Sequence, residues 1–376
     1  MTQLISYMFL QQYWWVIIAA LAGILVFLMF VQGGQSMIFS LPSDEPERTM
    51  IVNALGRKWE FTFTTLVVFG GTFFASFPLF YATSFGGAYW LWTVILFCFI
   101  IQAVSYEYRM KAGNVVGKKT FEIFLLINGS AGPFLIGVAV GTFFTGADFS
   151  LDDMNKVQWH NTLRGLEALG NVRNLALGFA VLFLARVNGL LFLMNTVESE
   201  DLRNRASRRI IMNSIIFLVF FLFFIITLVL SDGVTTDTGT GLLTAESHKY
   251  LNSFLQMPFA LLPFLAGVAG VLYGIAIAAF RKSIKGIWYS GAGTFLAVMA
   301  LFLVAGFNET AFYPSVHDIN SSLTIMNASS SQFTLKTMMF VSFTVPFIIA
   351  YITYAWNALT NKKITVDELD SAGHKY

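Results

Sequence analysis

Residues 202–231 read LRNRASRRIIMNSIIFLVFFLFFIITLVLS. Four arginines crowd the first eight positions, and none of the 22 residues at 210–231 is Asp, Glu, Lys or Arg. A helix crossing a bilayer core needs about 20 apolar residues. A membrane β-strand would instead show about 10 residues of alternating character, and this run does not alternate. Backbone groups inside lipid must satisfy one another, so the stretch is a membrane helix over 209–231, with a basic connection at one end.

The pattern recurs along the chain. Nine spans are expected, at 14–38, 61–83, 87–106, 120–145, 172–197, 209–231, 256–280, 287–307 and 335–359. The second and third are joined by a turn at Gly86-Gly87, too short for anything but an antiparallel hairpin. Composition agrees: 56% of the 376 residues are hydrophobic and 12% charged, where a soluble domain carries about 25%. Forty Phe residues exceed what one soluble core of this length needs, and lipid-facing surface absorbs them at no cost. Residues 1–376 therefore read as a single polytopic, all-α membrane domain. A net charge of +2 gives no reason to expect nucleic acid. Cys98, the one cysteine, excludes an internal disulfide framework. Residues 1–13 hold no Lys or Arg, so no cleavable signal peptide is expected.

Basic residues set the orientation. Seventeen of the 23 Lys and Arg fall in the connections 39–60, 107–119, 198–208 and 281–286, in the tail 360–376, or at Arg209. The N-terminus and the connections 84–86, 146–171, 232–255 and 308–334 hold three. This alternation supports all nine spans and puts the N-terminus outside and the C-terminus in the cytoplasm. Trp14, Trp15, Trp90, Trp92 and Trp288 lie near span ends, as aromatic belts do.

Ionisable groups inside spans are few, and each invites a functional reading. Arg186 lies mid-helix in the fifth span, with Asn188 and Asn195 on the same helix. A buried guanidinium needs an anion or several carbonyl acceptors. A buried polar clamp between helices or subunits, formed by Arg186, Asn188 and Glu122, is one reading, and a direct transport or cofactor role is the other. Glu122 opens the fourth span; it either partners a basic group or is a solvated carboxylate favoured by the helix dipole. Gln32 and Gln35 flank Gly33-Gly34 near the inner end of the first span. Trp59 and Glu60 open the second span on that side, and Glu107 and Arg109 close the third. Three helix ends thus share polar groups at one depth. They form either the mouth of a proton path or interfacial bonding that ties the helices together.

His160, His248, His317 and His374 all lie outside the spans. An intramembrane haem needs an axial ligand, usually histidine, so no haem is expected on this chain. There is no CxxC, CxxCH or Cys/His cluster, and no metal site is expected. No P-loop occurs. Gly137–Gly141 gives the fourth span a small-residue face suited to close helix packing. From these residues alone, a secondary transporter of a small anion, anchored by Arg186, stays open, although no internal repeat is evident.

Several blocks are more specific. Asn53 and Trp59 precede GGTFFASFPLFY at 70–81 and FGGAY at 85–89. Tyr106-Glu107-Tyr108-Arg109 closes the third span, and LRNRA occupies 202–206. The last connection carries Ser322-Leu323-Thr324 and ASSSQFTL at 328–335, followed by Pro346, Tyr351 and Trp356. In order and spacing these resemble subunit II of the cytochrome bd quinol oxidases, nearly end to end.

That resemblance implies two four-helix bundles plus one further helix in the bacterial cytoplasmic membrane. The partner would be subunit I, carrying three haems (two b-type, one d-type) and the quinol site. This chain would be its haem-free, non-catalytic companion. It would support assembly and, through Glu60, Glu107, Gln32, Gln35 and Trp59, cytoplasmic proton supply to an electrogenic, non-pumping reduction of O2 to water. A structural quinone or lipid and a small single-span accessory subunit belong to the same picture. Two positions depart from the family. Gln32-Gly33-Gly34-Gln35 stands where an Asp-Gly-Phe-Asp type segment is common, and glutamine does not exchange a proton at physiological pH. The Trp-Asp pair appears as Trp59-Glu60, preceded by Lys58 where histidine is common.

Overall fold

A computed structural model describes residues 6–111, 113–237 and 241–360; the tail lysines and His374 lie outside them. α1 (Tyr7–Leu28) and α2 (Phe30–Gln35) form one 29-residue rod, opened by Ser6, whose hydroxyl accepts the Phe9 amide. α3 (Glu45–Gly56) lies at the basic end, is capped by Asp44 and is buried from Met50 onward. α4 (Trp59–Ser76) stops at Phe77. Pro78 opens the three-residue α5 (Pro78–Phe80), and a wide π-type turn continues over Tyr81–Gly87. Pro78 has no N–H to donate and forces its predecessor out of helical geometry; Phe77 accordingly has φ −132° and ψ 66°. The chain bends there by 117°. The span expected at 61–83 therefore ends at Ser76, and a folded corner over 77–88 replaces the tight turn expected at Gly86-Gly87.

The remaining long helices are α6 (Tyr89–Tyr108), α7 (Lys118–Thr145), α8 (Val172–Thr196) and α9 (Glu200–Val229). After the short α10 (Lys249–Gln256) come α11 (Pro258–Arg281) and α12 (Gly286–Gly306). α13 (Gln332–Ser342) and α14 (Val345–Thr360) are separated by a 43° bend. Among the described residues seven helices are long and apolar enough to cross a membrane, or up to nine if each bent pair is one crossing. The protein is a multi-pass helical membrane protein.

Close packing depends on missing side chains. A Cβ on Gly33 would collide with the backbone of Ala185 in α8, and one on Gly189 would come within 2.5 Å of the Gly34 nitrogen. From the other side, a Cβ on Gly129 of α7 would stand 2.6 Å from the Gln32 carbonyl. The segment 32–35 is thus gripped between α7 and α8 at backbone contact. Gly137 meets Gly178 in the same way, as the small-residue face of α7 suggests.

The long loops carry small antiparallel hairpins: β1 (Phe149–Leu151) with β2 (Val157–Trp159), β3 (Gly233–Thr236) with β4 (Leu243–Glu246), and β5 (Ala311–Tyr313) with β6 (Leu323–Thr324). They close the bundle end opposite the basic loops. Beneath them Phe73, Phe77, Phe80, Phe143, Phe302 and Phe312 are buried around Trp15. Phe80 lies 4.5 Å from Phe73 and 5.1 Å from Phe143, ring centre to ring centre. The abundance of Phe therefore has two causes. Some face outward from several helices, among them Phe74, Phe97, Phe259 and Phe347, and others build an aromatic core.

Candidate functional site: a buried polar string at the basic end

Where 32–35 wedges between α7 and α8, polar side chains from α2, α6 and α7 meet in the interior. Gln35 Nε2 donates to the Tyr106 hydroxyl (2.9 Å), and Asn128 Nδ2 donates to Gln35 Oε1 (3.0 Å). Gln32 Nε2 donates to Gln102 Oε1 at 3.1 Å. All five side chains are buried. Gln32 Oε1, Gln102 Nε2 and Asn128 Oδ1 are buried with no hydrogen-bond partner among the described residues. Each can still bind a water.

Toward the surface the string ends in charge. Arg109 donates through Nε (3.1 Å) and Nη2 (2.7 Å) to Glu122 Oε1. The two side chains are 0% and 2% exposed. Arg48 Nη1 approaches the second Glu122 oxygen at 3.6 Å. Glu122 is thus a fully buried partner of two arginines, not a solvated helix-start carboxylate. Helical spacing sets this geometry. Gln102, Tyr106 and Arg109 lie at i, i+4 and i+7 along α6 and its C-cap, and Glu122 shares a face of α7 with Gly129, the residue after Asn128. Gln102, Tyr106 and Asn128 belong to the string although the sequence reading did not select them as site residues. The i, i+4, i+7 polar spacing inside an apolar helix was the signal that could have found them.

Trp59 stacks on Tyr106, with ring centres 5.7 Å apart and an interplanar angle of 17°. Its neighbour Glu60 points away, with an exposed side chain outside the string. Glu107 is exposed too and pairs with Lys111 at 3.4 Å. Buried Lys58 donates from Nζ to the Trp356 carbonyl (3.1 Å) and sits 3.8 Å above the Trp356 ring. That contact ties the start of α4 to α14. Of the five proton-path candidates, Gln32, Gln35 and Trp59 gather around the string, while Glu60 and Glu107 stand at its rim.

The three residues grouped as a polar clamp occupy three places. Asn188 binds α12, accepting from Ser290 Oγ (2.6 Å) and donating to Thr294 Oγ1 (3.2 Å). Glu122 belongs to the string. Arg186 touches neither and lies over the Phe183 ring at 5.4 Å. Asn195 donates to the Ile284 carbonyl at 3.0 Å.

His160, His248 and His317 lie in the connections at the long-loop end. His160 and His317 stack with ring centres 3.6 Å apart, and His317 Nδ1 is 3.4 Å from Asp148. Facing rings cannot both direct a nitrogen lone pair at one ion. Among the described residues no group of three or more His, Cys, Asp or Glu is placed to hold a metal ion, and no histidine is placed within a span to serve as an axial haem ligand.

The helical bundle, its two bent helix pairs and its basic-end polar string define a polytopic membrane protein. Residues 10–359 match the family model described as cytochrome bd terminal oxidase subunit II, and the chain belongs to that family. It is 24% identical to the cytochrome bd-I ubiquinol oxidase subunit 2 of Escherichia coli K12 over 99% of both chains. A probable cytochrome oxidase subunit 2 of Haemophilus influenzae is 27% identical over 93% of each chain. The cytochrome bd ubiquinol oxidase subunit 2 of Bacillus subtilis is 26% identical over 90% of this chain and 93% of that one. The solved bd oxidase of Geobacillus thermodenitrificans superposes with a TM-score of 0.64 at 11% identity, over 94% of this chain and 99% of its counterpart, and so shares the fold. The chain is a subunit of a terminal oxidase, an oxidoreductase complex, and its family implies a subunit I as partner.

Proposed function

We propose that this chain is the haem-free subunit II of a quinol-oxidising terminal oxidase in a bacterial cytoplasmic membrane, with nine crossings, N-terminus outside and basic end in the cytoplasm. Its work is to hold subunit I, which carries the haems and the quinol site, in its competent form. The observation that carries this reading is the polar string. It closes in an Arg48–Glu122–Arg109 cluster, with Glu122 and Arg109 buried, and runs inward through amides, and beyond Tyr106 it has no side chain that exchanges protons. By its own groups it is a lock between helices rather than a wire.

Proton supply, if this chain contributes to it, runs through its rim. Glu60 is the exposed carboxylate beside Trp59 at the basic end, placed to meet either the cytoplasm or subunit I. Glu60→Gln then lowers quinol oxidase turnover while the haem spectrum of the assembly stays normal. Unchanged turnover would leave Glu60 without a part in proton delivery. With the family established, the anion-transporter alternative has no observation in its favour.

A further inference from the structure

Among the described residues the intramembrane cation Arg186 has no carboxylate partner. Arg186 lies ten residues before the inner end of α8 at Thr196, about 15 Å along the axis. Among the described residues its Nε is buried without an acceptor, and its one contact is the Phe183 ring. On neighbouring α9, Arg209 donates to Ser40 Oγ (2.8 Å) and to the Ser40 carbonyl, and its positive charge bears on Arg186. One turn further along α9, buried Asn213 Oδ1 also lacks a partner.

The described contacts of this chain leave the Arg186 charge unbalanced. An arginine inside a membrane span is costly unless it is paired. A cation–π contact offsets only part of that cost, and a second guanidinium nearby adds repulsion. An anion held by both arginines would reverse the sign of that term. Nearby α9 is the long helix with the least protein cover. Its exposed Met212, Ile215 and Val219 form an apolar track that begins within a turn of Arg209.

We propose that Arg186 and Arg209 together hold the phosphodiester of an anionic phospholipid from the leaflet at the basic end, its acyl chains lying along α9. A guanidinium fork matches phosphate oxygens in pairs. Phosphate chemistry alone would also suit free inorganic phosphate, but the apolar track beside the pair favours a lipid. The inference rests on the membrane setting and the arginine pair, not on the chain's place in an oxidase.

The test uses the purified assembly containing this chain, by native mass spectrometry and by thermal unfolding after delipidation. Wild type retains one more phosphatidylglycerol per assembly than Arg186→Gln, and added phosphatidylglycerol raises the unfolding temperature of wild type but not of that variant. Arg186→Lys keeps the charge and retains the lipid, which separates loss of binding from loss of fold. Phosphatidylcholine and inorganic phosphate produce neither effect. Equal lipid retention by wild type and Arg186→Gln overturns the proposal. So does equal stabilisation by inorganic phosphate, or a structure of the assembly with a subunit I carboxylate bonded to Arg186.

Discussion

Arg109 and Glu122 show what a buried charge demands. Both are out of water, and their attraction offsets desolvation only while both are present. Arg109→Leu strands Glu122 with only the more distant Arg48, and a loss of about 3–5 kcal/mol is expected for breaking such a pair. The double replacement Arg109→Leu/Glu122→Leu should cost clearly less than either single change. Thermal unfolding of the three variants checks this, and an additive double variant would mean that the two side chains do not depend on each other. At the opposite end, burial pushes the Glu167 carboxyl upward, against the bonds it accepts from backbone amides, one of them from Gly165 at 2.7 Å. A raised carboxylate favours the protonated fold, so its ionisation weakens the native state as pH climbs through the folded value. Glu167→Gln should therefore gain stability relative to wild type at neutral pH, and the gain should vanish in acid below the ordinary carboxylate value. A pH series of unfolding temperatures decides it; a gain that grows toward low pH has the wrong sign.

At the scale of elements, spans were the most legible feature because hydropathy and the basic-loop alternation report them independently. α1, α6, α7, α8, α9, α11 and α12 all fall on expected stretches. The corner at Phe77 was not read, although Pro78 stood in the sequence. Apolar residues continue to Phe85, and composition cannot show a bend that leaves hydropathy unchanged. Burial of Glu122 was likewise hidden, because its partners Arg48 and Arg109 come from two other helices. The glycines of 33–34 were legible as small residues but not as contacts. Gly33→Ala would push a methyl into the α8 backbone. Overpacking of a rigid site costs about 1–3 kcal/mol, and the displaced helix would take Gln32 and Gln35 off their partners. The expected result is a less stable assembly whose Trp59–Tyr106 environment changes in fluorescence. Gly71→Ala, where a Cβ meets nothing within 4 Å, is the matched control and should be near neutral.

For the whole molecule, seven to nine candidate crossings are packed between two differently built ends. Aromatic packing closes the long-loop end, and a charged lock closes the basic end. On the proposed function, the partner's haems depend on this subunit. The direct measurement is the optical spectrum and quinol oxidase activity of membranes carrying subunit I with and without this chain. Haem absorption and activity should both fall away when the chain is absent and return when it is supplied. A full haem complement with normal activity in its absence would contradict it.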